Sequence, residues 1–203
     1  MNIIIAGIHT GIGKTVCSAV ICQALGYDYW KPVQAGELND SDSIFIKRNV
    51  TNPHCQVHPE KYRLTIPASP HYAAEIDGVE IKPADFLLPN TNNSIVVETA
   101  GGIMSPLSNS FLNIDLMQQL NLPVILVSNN YLGSINHTLL TAEAMHKKSV
   151  PVKGLVFCGQ EFLSTRDFIL QYTKLPLLFS IPQFDVITPA VIADFAKTVS
   201  LHL

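Results

Sequence analysis

Gly7-Ile8-His9-Thr10-Gly11-Ile12-Gly13-Lys14-Thr15 stands between an apolar run, Ile3-Ile4-Ile5-Ala6, and a segment from Thr15 to Leu25 whose apolar residues fall on helical stripes. Cys17, Ile21 and Leu25 form one stripe and Val16, Val20 and Ala24 the next, which predicts a helix packed over a wide face. A glycine-bearing loop at such a strand-to-helix junction turns successive backbone N–H groups inward, and the helix N-terminus adds about half a positive charge. Phosphate oxygens are held there without side chains. Lys14 would then reach the outer phosphates, and the Thr15 hydroxyl would sit on Mg²⁺. The strict pattern G-x-x-x-x-G-K-[ST] asks for glycine at position 8, which is Ile8, and Gly7 stands one residue early. The strand before and the helix after make this variant a phosphate loop rather than a bare glycine turn.

The same alternation of short β-branched runs with helical periods continues along the chain, the pattern of βαβ units. Strands are expected at Asn2 to Ala6, Asp28 to Lys31, Ser94 to Glu98, Val124 to Ser128, Gly154 to Phe157 and Leu175 to Phe179. Most are continuous apolar runs, so both faces of the sheet should be covered. A second helix is expected from Ser134 to Lys148, with Ser134 as its N-cap and Lys147 and Lys148 in its last turn. The stretches Asn49 to Leu64 and Pro89 to Asn93 lose the period and read as surface insertions. The expectation is an α/β fold, a doubly wound, mainly parallel sheet flanked by helices in one domain over residues 1–203, of the phosphate-loop nucleotide-binding kind.

Composition removes other classes. Charged residues are only 14% of the chain, and 13 Lys+Arg against 16 Asp+Glu leave a net charge of −3 with no basic run, which argues against nucleic-acid or anionic-membrane binding. No apolar stretch approaches the ~18–20 residues of a membrane helix. Met1-Asn2 leads straight into the first strand, so the expected location is cytoplasmic. Cys17, Cys22, Cys55 and Cys158 form no C-x-x-C pair or metal-spaced cluster and read as buried thiols in a reducing compartment.

A phosphate loop needs an acidic metal partner at the end of a neighbouring strand. Glu98 supplies it, followed by Thr99-Ala100-Gly101-Gly102, where glycines let the backbone approach the terminal phosphate. Asp42 is either a second oxygen ligand or a helix cap. Lys31 closes the second strand and either clamps an anion at the ligand crevice or is an exposed strand-end lysine. His9, His71 and His137 read as structural members of their loops, and Trp30 as sheet packing.

Taken together, these residues resemble the dethiobiotin synthetases. The likeness rests on Gly7 to Val16, Lys31-Pro32-Val33 with Gly36, Ser69-Pro70-His71 with Ala73-Ala74, Glu98 to Gly102, Pro106-Leu107, Leu122 to Val127 and Leu132-Gly133-Ser134-Ile135-Asn136-His137. It runs to about Gly154 and faintly through Pro176-Leu177-Leu178 to Ile181-Pro182.

The resemblance implies a homodimeric enzyme that spends ATP to join CO₂ to 7,8-diaminononanoate (7,8-diaminopelargonate) and closes a ureido ring, with Mg²⁺ as cofactor. It implies Lys14, Lys31 and Thr10 as catalytic residues. Gly11, Ile12, Gly13, Lys14, Thr15, Val16, Glu98, Gly101 and Cys158 would contact the nucleotide, and Thr15, Asp42 and Glu98 the metal. Lys31, Ala35, Gly133, Ser134, Ile135 and Asn136 would contact the diamine substrate, the last four from the second subunit. His9 replaces a common Asp, Gly11 an occasional Glu, Ala35 a frequent Ser or Thr and Thr99 a Gly. Cys158 stands where an Asn often reads adenine, so ATP or another nucleoside triphosphate would serve. The alternative is a partner-regulated phosphate-loop switch ATPase, which usually carries an extra lysine where this chain has Ile8 and His9.

Overall fold

The computed structural model describes residues 1–199. The chain opens with β1 (Ile3–Gly7), buried at every position, and α1 (Lys14–Leu25), which Gly26 ends in a left-handed conformation that glycine adopts without strain. There follow β2 (Asp28–Trp30), β3 (Val33–Ala35), α2 (Asp42–Asn49), β4 (Tyr62–Leu64) and α3 (Pro70–Ile76). The middle of the chain holds β5 (Ile95–Gly102), the hairpin strands β6 (Pro106–Ser108) and β7 (Phe111–Leu112), and α4 (Asn113–Leu120). The last part forms β8 (Val124–Asn129), α5 (Ser134–Lys147), β9 (Val152–Cys158), α6 (Leu163–Thr173), β10 (Leu177–Ile181) and α7 (Pro189–Ala196).

All six expected strands enter one parallel sheet in the order β10-β9-β8-β1-β5-β2. β1 lies between β5 and β8, so the chain reverses its direction of travel across the sheet on either side of it. Ligand crevices form at the carboxyl ends of strands at such a switch point. Ile5 pairs with Glu98 but Gly7 with Gly102, so β5 carries extra residues here. The register shift includes Gly101, whose φ of 77° suits glycine. An apolar cluster running from Ile3 to Ile192 fills both faces of the sheet.

Three expectations need correction. Ser134 is the first residue of α5, not its N-cap: Gly133 takes that place with φ 100°, and the Ser134 Oγ is buried with no partner among the described residues. The stretch 49–64 lies largely at the surface, as expected, but it is built onto the sheet edge rather than simply inserted. Tyr29 donates its N–H to Gln56 O and accepts from His58 N, while β4 pairs in parallel with β3, so the stretch covers the β2 edge. Asp28 anchors it, accepting from Gln56 N, the Asn93 amide and Thr91 Oγ1, with His58 Nε2 at 2.8 Å. Cys55 is half-buried, whereas the other three thiols are buried as expected, and all four are free.

Trp30 packs in the sheet and donates to Pro59 O. No described helix is long and apolar enough to cross a membrane.

Candidate active site

The loop from Ile8 to Gly13 leaves the carboxyl end of β1 and delivers Lys14 and Thr15 into the first turn of α1. Gly13 has φ 99°, and a Cβ there would lie 2.7 Å from Cys158 Sγ, so both conformation and space demand glycine. Lys14 Nζ folds back to His9 O at 3.1 Å, tightening the loop on itself. Burial lowers the Lys14 pKa to about 8, against the opposing pull of Glu98.

Next to Lys14, oxygen atoms from three elements converge. Thr15 Oγ1 lies 2.5 Å from Asp42 Oδ1 and 3.0 Å from Glu98 Oε1. Asp42 is the first residue of α2, and Ser41 is the cap, accepting from Ile44 N. That leaves the Asp42 carboxylate free to point at the phosphate loop. Glu98, on β5, is fully buried, and its Oε2 accepts from Ser18 Oγ at 2.8 Å and Tyr29 OH at 3.0 Å.

Lys31 follows β2 and is buried, with its ammonium bonded to Asp42 and 3.5 Å from Glu98 Oε1. Burial works against its charge, but the carboxylates of Glu98 and Asp42 outweigh it and hold the pKa above the usual lysine value. Burial likewise opposes ionisation of Asp42, and Lys31 outweighs it, holding that carboxyl below its usual range. The exposed reading of Lys31 is therefore excluded.

These groups line a cleft of about 760 Å³. It contains the expected Thr10, Gly11, Gly13, Lys14, Thr15, Val16, Lys31, Ala35, Asp42, Glu98 and Gly101. The Ile12 side chain is buried beneath the loop. Cys158 is buried too, its thiol turned onto Gly13 O at 3.8 Å, and burial pushes its pKa up to about 12. Gly133, Ser134, Ile135 and Asn136 do not line the cleft. Their helix meets the phosphate loop through aromatic rings. His9 stands edge-on to Tyr131 at 5.2 Å, and Tyr131 OH is 2.6 Å from His137 Nδ1, so His137 is hydrogen-bonded as expected. His71 is half-buried, and its Nδ1 has no partner among the described residues.

Sequence reasoning missed Ser18 and Tyr29. A signal existed for each: Ser18 is a hydroxyl on an otherwise apolar helical stretch, one turn after Lys14 and Thr15. Tyr29 is two residues from Lys31, which places both on one side of a strand. It also missed Gln34, Glu37, Ser105, Pro67 and Ala68, which complete the cleft wall with Ser69 and Pro70 of the resemblance.

Residues 1–191 match an AAA domain family. The fold is similar to a ParA family ATPase from Chlorobium tepidum (TM-score 0.58, 13% identity, covering 100% of this chain and 99% of that one). It is also similar to the cell division ATPase MinD of Pyrococcus furiosus (TM-score 0.58, 12% identity, 97% of each chain). Fold and loop together define a phosphate-loop nucleotide-binding domain. Within that class, the chain is 44% identical to an ATP-dependent dethiobiotin synthetase, BioD, of Cytophaga hutchinsonii, over 95% of this chain and 93% of the relative. It is 41% identical to the enzyme so named in Chlamydia pneumoniae, over 97% and 88%, and 42% identical to that of Brucella ovis, over 93% and 89%. The chain belongs to the dethiobiotin synthetase family.

Proposed function

We propose that this protein is an ATP-dependent dethiobiotin synthetase, a ligase that joins CO₂ to 7,8-diaminononanoate and closes the ureido ring, with release of ADP and phosphate. The observation that carries the proposal is the buried ammonium of Lys31 held against Asp42 and Glu98 beside the phosphate loop. The obstacle in this reaction is that a carbamate, an anion, must attack the γ-phosphate, another anion. Preorganised cations and amides aimed at that encounter lower the barrier electrostatically, and no strong general base is needed.

In this reading the loop amides from Gly11 to Val16 hold the triphosphate, and Lys14 lies against its outer oxygens. Thr10 and the Gly101 bulge, side by side in the cleft wall, face the same phosphates. Thr15, Asp42 and Glu98 suit Mg²⁺, because a hydroxyl and two carboxylates within hydrogen-bond reach are hard oxygen donors. When bound there, Mg²⁺ would neutralise phosphate charge. With its two carboxylates so engaged, the Lys31 ammonium turns its charge to the carbamate, with Ala35 alongside. The second amine closes on the mixed carbamic-phosphoric anhydride and expels phosphate.

A homodimer belongs to the same proposal: Gly133 and Asn136 are exposed outside the cleft, where they are free to reach a partner's site. The continuous apolar cluster supports one catalytic domain. A cytoplasmic location belongs to the same proposal. Cys158, whose thiol faces Gly13, supplies no amide to read adenine, so ATP is not the only usable nucleotide. Ureido-ring formation from diamine, bicarbonate and Mg²⁺, measured with each of the four common nucleoside triphosphates, tests the proposal. No product with any of them would overturn it.

A further inference from the structure

We propose that Tyr29 and Ser18 are positioning residues that bind one oxygen of Glu98 from behind and leave only the other to a divalent cation, so that the site favours Mg²⁺ over Ca²⁺. The inference rests on the metal reading above and extends it to residues outside the ligand set.

The two carboxylate oxygens of Glu98 have divided surroundings. Oε2 accepts from Ser18 Oγ on α1 and Tyr29 OH on β2, whereas Oε1 faces Thr15 Oγ1 and Lys31 Nζ. Tyr29 is wholly buried, and its phenol O–H donates to Oε2 at 3.0 Å. Ser18 is wholly buried as well, so neither donor can turn to water. A cation that took both oxygens would have to break two buried hydrogen bonds to a charged group.

That constraint separates the two ions. Mg²⁺ takes few carboxylate oxygens in a tight octahedron, while Ca²⁺ takes about 6–8 oxygens and uses two-oxygen carboxylates readily. A Glu98 restricted to one oxygen matches the first and handicaps the second.

The test is calorimetric titration of Mg²⁺ and of Ca²⁺ into protein loaded with a non-hydrolysable ATP analogue, corrected for binding to the free analogue. It is run on the unaltered protein, Tyr29→Phe and Ser18→Ala, with thermal melts of the nucleotide-free proteins as a fold control. Loss of a hydrogen bond to a metal-binding carboxylate typically lowers affinity about 10–100-fold. The expected result is a Mg²⁺ affinity at least about tenfold lower in Tyr29→Phe, a smaller loss for Ca²⁺, and hence a narrower ratio between them. Ser18→Ala frees the same oxygen and should move the ratio in the same direction even if Tyr29→Phe proves unstable. An unchanged ratio, including equal losses for both ions, would overturn the inference and leave the proposed reaction standing. Unaltered protein that binds neither ion would overturn the metal reading beneath it.

Discussion

Lys31 Nζ lies 3.5 Å from Glu98 Oε1, and the same ammonium is bonded to Asp42, so one buried lysine neutralises two carboxylates drawn from different elements. Removing one partner of a buried ion pair leaves uncompensated charge, a larger effect than the pair's own net contribution. This relationship ties the stability of the nucleotide-free protein to the groups of its candidate active site.

Lys31→Met should therefore have two effects. In the nucleotide-free protein it leaves Asp42 and Glu98 facing each other, with an expected loss of about 3–5 kcal/mol. Thermal unfolding should recover more in the variant than in the parent when Mg²⁺ is added. Ring formation should fall about 100-fold or more, as it does on loss of one preorganised charge-stabilising donor. An unchanged melting temperature would separate Lys31 from the carboxylates.

Lys14 carries a pH signature. Its folded pKa of about 8 lies below the ordinary 10.5, so between these values the unfolded chain binds more protons than the folded one. The group therefore adds stability as pH rises through that window, and detracts most below it. Phosphate binding favours the charged form, so nucleotide should bind with uptake of about half a proton near pH 8. Calorimetry in two buffers of different ionisation enthalpy measures this, and Lys14→Met should abolish it. Affinity of the parent protein should decline above pH 8.

Asp28 should matter for stability and not for chemistry. Burial opposes its ionisation, but bonds from His58, Thr91, Gln56 and Asn93 outweigh it and hold the carboxyl below its usual 3.8. This contribution is present above the unfolded pKa and lost as pH falls through the folded one. Asp28→Ala strands several donors at about 1–3 kcal/mol each, so a loss of roughly 3 kcal/mol or more is expected in denaturant unfolding. The acid limb of the stability profile should flatten in the variant.

The proposed two-chain site predicts complementation. Lys31→Ala disables a chain's own cleft, and Asn136→Ala disables what it lends its partner. In a mixed dimer both lesions fall on one site and the other is intact. After unfolding and refolding an equimolar mixture, activity should return to about a quarter of the parent level, because half the dimers are mixed and each has one good site. Activity no higher than that of either variant alone would show that each chain works by itself.

Much of the fold was legible because its signals are local. Ile3 to Ala6 and Val124 to Ser128 are unbroken apolar runs of strand length, and a strand covered on both faces requires that composition. The short helices α2, α3 and α4 were not legible, since at seven or eight residues each holds barely two turns of pattern. Ser134 misled because a serine before an apolar helix is a good cap, while Gly133 alone can take the left-handed turn that the chain makes there.

The order of residues along this chain was enough to establish a parallel α/β sheet and a phosphate loop at its first turn, and to single out Lys14, Thr15 and Glu98, which the fold brings into one cleft. Those features depend on neighbours within a few positions, whose spacing constrains geometry directly. Only tertiary structure decided that Asp42 meets Thr15 rather than capping a helix, that Lys31 is buried between two carboxylates, and that Tyr29 and Ser18 grip Glu98 from behind. Each of these joins segments far apart in the chain, and such contacts exist only once the sheet has set its strand order and register.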